Sequence, residues 1–334
     1  MVSKRGCWGA ALLLLMLAPV AGAQRSPQEM ADILLTDVSA ESATFALGTR
    51  IYSEEATDFR RRRFKMASTD LDLNVPIHMP NITDRILSFQ VKVGMRDFGT
   101  PALLPNTISE FPDPLFDVGL GVTYKWNTPG HWKLGYNFSV MAPSDDPFDS
   151  KNDVRVGANL FARTPSGDRD EWLFYVHYLS TRDYLHDVPL PGAAYIWKPT
   201  PKYTFVIGAP LAMMDLRFNE KTYWKTSYLL LRKLSTEAGR NLTKEIVQFV
   251  GFDWDQQDYY RSSNKDLDDK LTYHEKRVTG GFRYTLSPGT SFELAGGYAF
   301  QRFWYEGLDY GDRHYNRLNI DDGGFAQARL NMAF

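Results

Sequence analysis

The chain has 334 residues, 38 basic against 40 acidic side chains, a formal charge of -2 and a single cysteine, Cys7. That near balance argues against a nucleic-acid partner, which would favour a basic face, and one cysteine excludes an intramolecular disulfide or a multi-cysteine metal site. No segment reaches the 18 or more uninterrupted apolar residues of a membrane helix, but the half-polar strands of a membrane β-barrel would give the same muted hydropathy.

At the start, Lys4 and Arg5 precede an apolar run from Ala10 to Val20 and then Ala21-Gly22-Ala23, the order of a cleaved secretory signal over 1–23. Its apolar core is shorter than the ~20 residues a spanning helix needs. Cys7 falls inside the signal, so the exported chain from Gln24 would carry neither a thiol nor a lipid attachment site. Ser26-Pro27-Gln28-Glu29 has the form of a capping box opening a short helix, with Met30, Ile33, Leu34 and Val38 on one side. Residues 24–42 are expected to form a periplasmic or plug segment. They are too short for the plug domain of an energy-coupled receptor.

From Arg85 onward apolar residues recur at every second position. Leu87, Phe89, Val91, Val93 and Met95 alternate with Ser88, Gln90, Lys92, Gly94 and Arg96. Phe116, Val118, Leu120, Val122, Tyr124 and Trp126 then lead through Asn127-Thr128-Pro129-Gly130 into Trp132, Leu134, Tyr136, Phe138 and Val140. Alternation sustained this long suits the ~9–11 residues of a tilted membrane-crossing strand, whereas strands of soluble proteins run near 5–6. Tight Pro/Gly turns at 127–130, 164–167, 199–201 and 287–290 take turns with long polar segments at 53–65, 98–114, 143–151, 181–191, 257–269 and 306–321. Short turns on one side and long loops on the other are the asymmetry of outer-membrane barrels.

A single-chain barrel of this kind has an even number of strands. The apolar phase slips between Tyr203-Phe205-Ile207 and Met214-Leu216-Phe218, across Gly208-Ala209-Pro210. Reading that stretch as one strand bulged at Pro210 predicts an antiparallel transmembrane β-barrel of about fourteen strands over 43–334, with twelve to sixteen open.

The final stretch alternates Ala326, Ala328, Leu330 and Met332 with polar residues and stops at Phe334. It resembles the last strand of bacterial outer-membrane barrel proteins, a class whose assembly machinery recognises such an end. That resemblance implies an assembly signal in Phe334, Met332 and Leu330, secretion to the periplasm and insertion into the outer membrane. The segment AYIWKPTPKYTFVIGAP, ending at Pro210, is similar to a stretch in an uncharacterised outer-membrane barrel family. It implies architecture and no activity.

With the aromatic-rich faces toward lipid, the alternate positions face inward: Asp70, Asp72, Lys92, Arg96, Asp117, Lys125, Lys133, Asp153, Arg155, Arg163, Arg283, Glu293 and Arg329. Either these charges line an aqueous pore, or they pair with one another in a filled lumen. Basic residues outnumber acidic ones in the set, which predicts a weak anion preference. In the first external loop, Arg60, Arg61, Arg62 and Arg63 could contact lipopolysaccharide phosphates or remain solvated.

Rim catalysis would draw on Asp183, His186 and Asp187 with Asp312 and His314 as carboxylate–imidazole pairs; polar loops commonly carry such residues without catalysis. His177, beside Tyr175, Tyr178 and Ser180, does not reproduce the histidine-serine-asparagine motif of outer-membrane phospholipases. There is no G-x-S-x-G, H-E-x-x-H or phosphate loop. The run Asp253, Asp255, Asp258, Asp266, Asp268 and Asp269 lacks the glycine and terminal glutamate of a calcium loop. Trp126, Trp132, Trp224, Trp254 and Trp304 fall near strand ends, where amphipathic rings suit an interface. The sequence thus reads as an outer-membrane barrel without a cofactor, passing small polar solutes or ions. A rim hydrolase and a closed structural barrel are the alternatives.

Overall fold

The alternating pattern closes on itself. The computed structural model describes residues 30, 33–78, 84–105, 109–151, 153–180, 188–229, 233–262 and 269–334; the expected signal over 1–23 and the capping box at 26–29 lie outside the described residues. The strands begin with β1 (Thr44–Tyr52), β2 (Glu55–Ala56), β3 (Arg63–Phe64), β4 (Met66–His78), β5 (Arg85–Phe98), β6 (Leu115–Asn127) and β7 (Lys133–Ser144). They continue with β8 (Arg155–Pro165), β9 (Glu171–Leu179), β10 (Leu190–Thr200), β11 (Tyr203–Ala209), β12 (Leu211–Arg217) and β13 (Thr222–Leu229). The last are β14 (Lys233–Asn241), β15 (Ile246–Tyr259), β16 (Lys270–Ser287), β17 (Thr290–Gly307), β18 (Arg317–Ile320) and β19 (Gly323–Ala333).

Sixteen of them form one antiparallel cycle, closed because β1 pairs with β4 on one side and with β19 on the other. β18 lies outside the cycle on the end of β17, and β2 with β3 makes a separate small hairpin. Closure leaves no open edge, so each wall strand has its backbone donors and acceptors turned to a neighbour and not to lipid.

The count is even and sits at the upper end of the expected range. The expected bulge at Pro210 is corrected. Tyr203 pairs with Leu216 and Val206 with Met213, so β11 and β12 form a hairpin. The apolar phase slips there because the chain reverses direction. Pro210, which has no N–H to donate, sits at the tip, and at Gly208 a Cβ would strike the β10 backbone at Ala194.

Side chains sort by parity. In β9, Glu171, Leu173, Tyr175, His177 and Leu179 are buried, while Trp172, Phe174 and Val176 face out. Around the wall, Phe89, Leu120, Phe138, Leu160, Ile207, Val250, Phe282 and Leu294 form an exposed apolar belt, with Leu120 at 57% and Leu160 at 60% exposure. A closed barrel with polar groups inside and a continuous apolar belt outside is the architecture of an outer-membrane protein. The chain is an outer-membrane β-barrel. Turns 128–132, 166–170, 201–202, 218–221, 242–245 and 288–289 share one rim, and the long loops share the other, which sets the turns in the periplasm and the loops outside.

The outer rim is uneven. β16 and β17 each run 18 residues, against 7 each for β11 and β12. β17 also carries a bulge. Its register passes from His274↔Phe303 to Lys276↔Phe300, so Gln301 and Arg302 stand opposite Glu275 alone. Gln301 takes φ 50 and its N–H donates to the Asp322 carboxylate at 3.1 Å.

Because the belt meets lipid, Leu120→Arg should destabilise the folded barrel by about 2–4 kcal/mol if its site is near the bilayer midplane, read as lost reversible folding into lipid vesicles. Leu120→Val should cost little by comparison.

Candidate functional site

The lumen is capped at its outer end by apolar side chains. Phe64 from β3, Phe98 from β5, Phe111 from the loop after β5, and Trp304 from β17 pack edge to face, with ring centroids 5.5–5.8 Å apart. Tyr273 stacks on Trp304 at 4.8 Å, and Tyr52, Met66, Leu104, Leu115 and Tyr259 complete the buried cluster. Loop segments 53–65 and 99–105 reach it by tying to each other. The Gly99 N–H donates to the Lys65 carbonyl at 3.1 Å, and the Thr100 hydroxyl to that of Arg63 at 2.6 Å.

Beneath the cap lies a layer of charge. The Tyr52 hydroxyl donates to Glu275 at 2.9 Å, and Arg277 meets both Glu275 and Asp253. Lys233 pairs with Asp255 at 3.1 Å, Arg96 with Asp70 at 3.0 Å, and Gln257 joins the two pairs by donating to Asp255 and accepting from Arg96. Charges this far from water persist only with partners, because desolvation costs several kcal/mol per ion.

A cavity of about 970 Å³ opens below this layer. Its lining runs from the periplasmic ends of β1, β4 and β19 (Thr44, Asn74, Ala333) up to Arg96, Asp255 and Arg277. Across its lower part, Arg283 bridges Glu237 at 3.1 Å and Glu293 at 2.8 Å; Gln327 donates to Glu293 and accepts from Arg50.

The opposite wall is filled. Met30, Ile33 and Leu34 pack on Phe161, Leu173, Tyr175, Ile196, Val206 and Leu211 from β8 to β12. Three wall cations hold the segment that follows. Lys125 meets Glu41 and donates to the Thr36 carbonyl at 3.1 Å, Lys133 pairs with Asp37 at 3.0 Å, and Arg163 bridges Asp37 at 3.0 Å and Glu171. At the periplasmic rim the Asp170 carboxylate accepts from the Lys198 N–H and the Tyr195 hydroxyl, each at 2.8 Å. These bonds, the backbone one first, hold it below the usual carboxylate range.

Of the residues expected inside, Lys92, Arg96, Asp117, Lys125, Arg283, Arg329, Asp70 and Asp72 line the cavity. Lys133, Arg163 and Glu293 sit in the ion pairs beside it. Asp153 and Arg155 lie at the outer end. The Ser150 N–H donates to Asp153, whose carboxyl burial pushes up, and Arg155 lies 3.7 Å from the Tyr260 ring centroid. His177 belongs to a ladder across the inner wall: its Nδ1 lies 2.7 Å from Asn159, which donates to Asn137, which donates to Thr123.

Among the four arginines, Arg61 pairs with Asp321 at 2.9 Å, Arg63 with Glu54 at 3.3 Å, Arg62 donates to the Pro101 carbonyl and Arg60 lies over Phe59. Leu330 pairs with Leu47 and Phe292, Met332 with Phe45 and Thr290, and Phe334 is 74% exposed. The rim candidates do not assemble among the described residues. Asp312 is occupied in capping the turn Tyr310–His314, and Asp183, His186 and Asp187 lie outside the described residues. Asp253 and Asp255 belong to the inner charge layer, Asp258 accepts from the Thr272 hydroxyl, and Asp266 and Asp268 lie outside the described residues. Trp304, expected at an interface, is fully buried in the cap because the bulge at Gln301 turns it inward, whereas Trp132 and Trp224 are exposed at 41% and 42%.

The sequence reading missed Arg50, Lys233, Glu237, Glu275 and Arg277. Glu275, Arg277, Thr279, Gly281 and Arg283 form a polar alternation that would have placed two of these charges on the inward face already assigned to Arg283.

A scan of protein-family models finds no match, and no curated protein matches. Solved structures do. An outer membrane channel from Pseudomonas putida F1 is 10% identical, covering 88% of this chain and 96% of its own, at a TM-score of 0.37. The P. putida toluene transporter TodX is 9% identical over 90% and 93%, at 0.39. A Pseudomonas aeruginosa FadL homologue is 10% identical over 94% and 96%, also at 0.39.

Arg163 is 5% exposed and serves two carboxylates. Arg163→Ala should cost about 3–5 kcal/mol, because Glu171 would then be buried beside a weaker set of partners. The heat-modifiable gel shift of refolded protein reads this as a lower unfolding temperature.

Proposed function

We propose that the chain is a passive outer-membrane channel for small polar solutes or ions. The observation that carries this is the lumen cavity, whose lining is rich in charged and hydrogen-bonding side chains and runs inward from the periplasmic strand ends. A lining of that kind replaces part of a solute's hydration as it passes. In this reading the conformation is the closed one, with the aromatic cap on the outside and residues 30 and 33–41 acting as a plug along one wall. Among the described lining residues nine are basic (Arg50, Lys92, Arg96, Lys125, Lys225, Lys233, Arg277, Arg283, Arg329) and seven acidic (Glu41, Asp70, Asp72, Asp117, Glu237, Asp253, Asp255). That excess favours a weak anion preference.

We read the exposed Arg60, Arg61 and Arg63 as contacts for lipopolysaccharide phosphates. We read the end of β19, through Leu330, Met332 and Phe334, as the strand offered to the barrel assembly machinery. Residues 1–23 are the export signal in this reading.

Single-channel recording on the refolded chain tests the channel. Stepwise conductance with a mildly anion-selective reversal potential is expected, and Lys92→Glu together with Arg329→Glu should move that potential toward cations. Silence from properly folded protein would leave the closed barrel as the reading.

If the plug is held by charge, Asp37→Asn with Glu41→Gln should raise open probability by releasing it from Lys125, Lys133 and Arg163. Added salt should act in the same direction on the partly exposed Lys133–Asp37 pair, since screening weakens such contacts. An unchanged open probability in the double variant would exclude electrostatic retention of the plug.

A further inference from the structure

Arg302 and Trp304 are buried in the cap with donors that meet no acceptor among the described residues. Their side chains belong to residues 1% and 0% exposed. Arg302 Nε donates to the Tyr273 hydroxyl at 3.2 Å and its guanidinium lies 4.7 Å from the Tyr52 ring centroid, yet Nη1 and Nη2 have no hydrogen-bond partner among the described residues. Trp304 Nε1 has none either. The two residues take successive inward positions of β17, and both lie against Tyr273.

Among the described residues Arg302 also forms no ion pair, because the carboxylates nearest this level, Glu275, Asp253 and Asp255, are met by Arg50, Arg277 and Lys233. Tyr273 cannot supply the deficit, because its hydroxyl proton already goes to Glu275 at 3.1 Å. A guanidinium held away from water without an anion is costly, and buried polar groups without partners call for a bound water or ion.

The chemistry distinguishes the two. Guanidinium and indole nitrogens only donate. A water would accept from them but would bring two protons needing acceptors of their own, while an anion accepts alone and forms the stronger, charge-assisted bonds. The near-complete burial of both side chains suits an ion of one atom and not a solute.

We propose that a small monovalent anion of halide size resides inside the cap, bound by Arg302 Nη1 and Nη2 and the Trp304 indole N–H. It neutralises Arg302 and fixes β17 against the cap. This does not depend on whether the lumen conducts.

The unfolding temperature of the refolded full chain, titrated with sodium chloride, bromide or methanesulfonate at constant ionic strength, tests it. The halides should raise the midpoint with saturation and methanesulfonate should not. Arg302→Gln should abolish the response, and Trp304→Phe should raise the half-saturating halide concentration about tenfold or more, the value of one hydrogen bond to a charge. Equal effects of all three salts, or a halide response that survives Arg302→Gln, would overturn the proposal. Should Arg302→Gln fail to fold, crystals of the unaltered protein grown in bromide decide the matter. An anomalous peak beside Arg302 and Trp304 supports the anion, and water density without such a peak rejects it.

Discussion

The pairing of β1 with β19 is the contact on which everything else depends. Lipid offers nothing to a backbone N–H or carbonyl, so a sheet can cross a membrane only if its edges meet. The register running from Thr44↔Ala333 to Tyr52↔Phe325 makes them meet. Once the wall is closed, parity does the rest, sending Leu120, Phe138 and Leu160 outward and Asn137, Asn159 and His177 inward. Every charge on the inner parity is then enclosed, and the lumen must provide partners for it.

The protein provides them differently on its two sides. Along β8 to β12 the wall turns apolar side chains inward, and Met30, Ile33 and Leu34 cover them. Along β1, β4 to β6 and β13 to β19 the inner face is polar, and the ion pairs of Arg96, Lys233, Arg277 and Arg283 leave room for a cavity. The first side gains from burying apolar area, at about 25 cal/mol per Å². The second gains little net stability from its ion pairs, since desolvation offsets much of their attraction. An inner surface that is costly to keep charged is consistent with a solute-handling role for that side.

Much of this was legible in the residues because membrane strands are long. Alternation such as Phe116 to Trp126 repeats often enough to fix both the secondary structure and the direction of each side chain. Legibility failed where the pattern was short or broken. At Gly208-Ala209-Pro210 a phase slip has two causes, a bulge or a reversal, and only the partner strands distinguish them. At Trp304 a strand end looked like an interface position, because the bulge that turns the ring inward leaves no mark in the alternation itself. The contacts of Lys125, Lys133 and Arg163 with residues 35–41 could not be read at all, since the segment carries no period tying it to a particular wall.

The bulge at Gln301 has a bearing on how this chain can change over time. Below it β17 shows Tyr298 to the exterior, and above it the sides are exchanged, so Arg302 and Trp304 point inward. The strand therefore behaves as two reading frames joined by one residue. Deleting Gln301 would restore a regular ladder with Arg302 alone opposite Glu275, and would leave the guanidinium and the indole facing inward. That position can be substituted or lost without exchanging the two faces, whereas gain or loss of a single codon elsewhere in the strand would turn the residues beyond it to the wrong side. Length variation should otherwise be confined to the outer loops, where no frame is being kept.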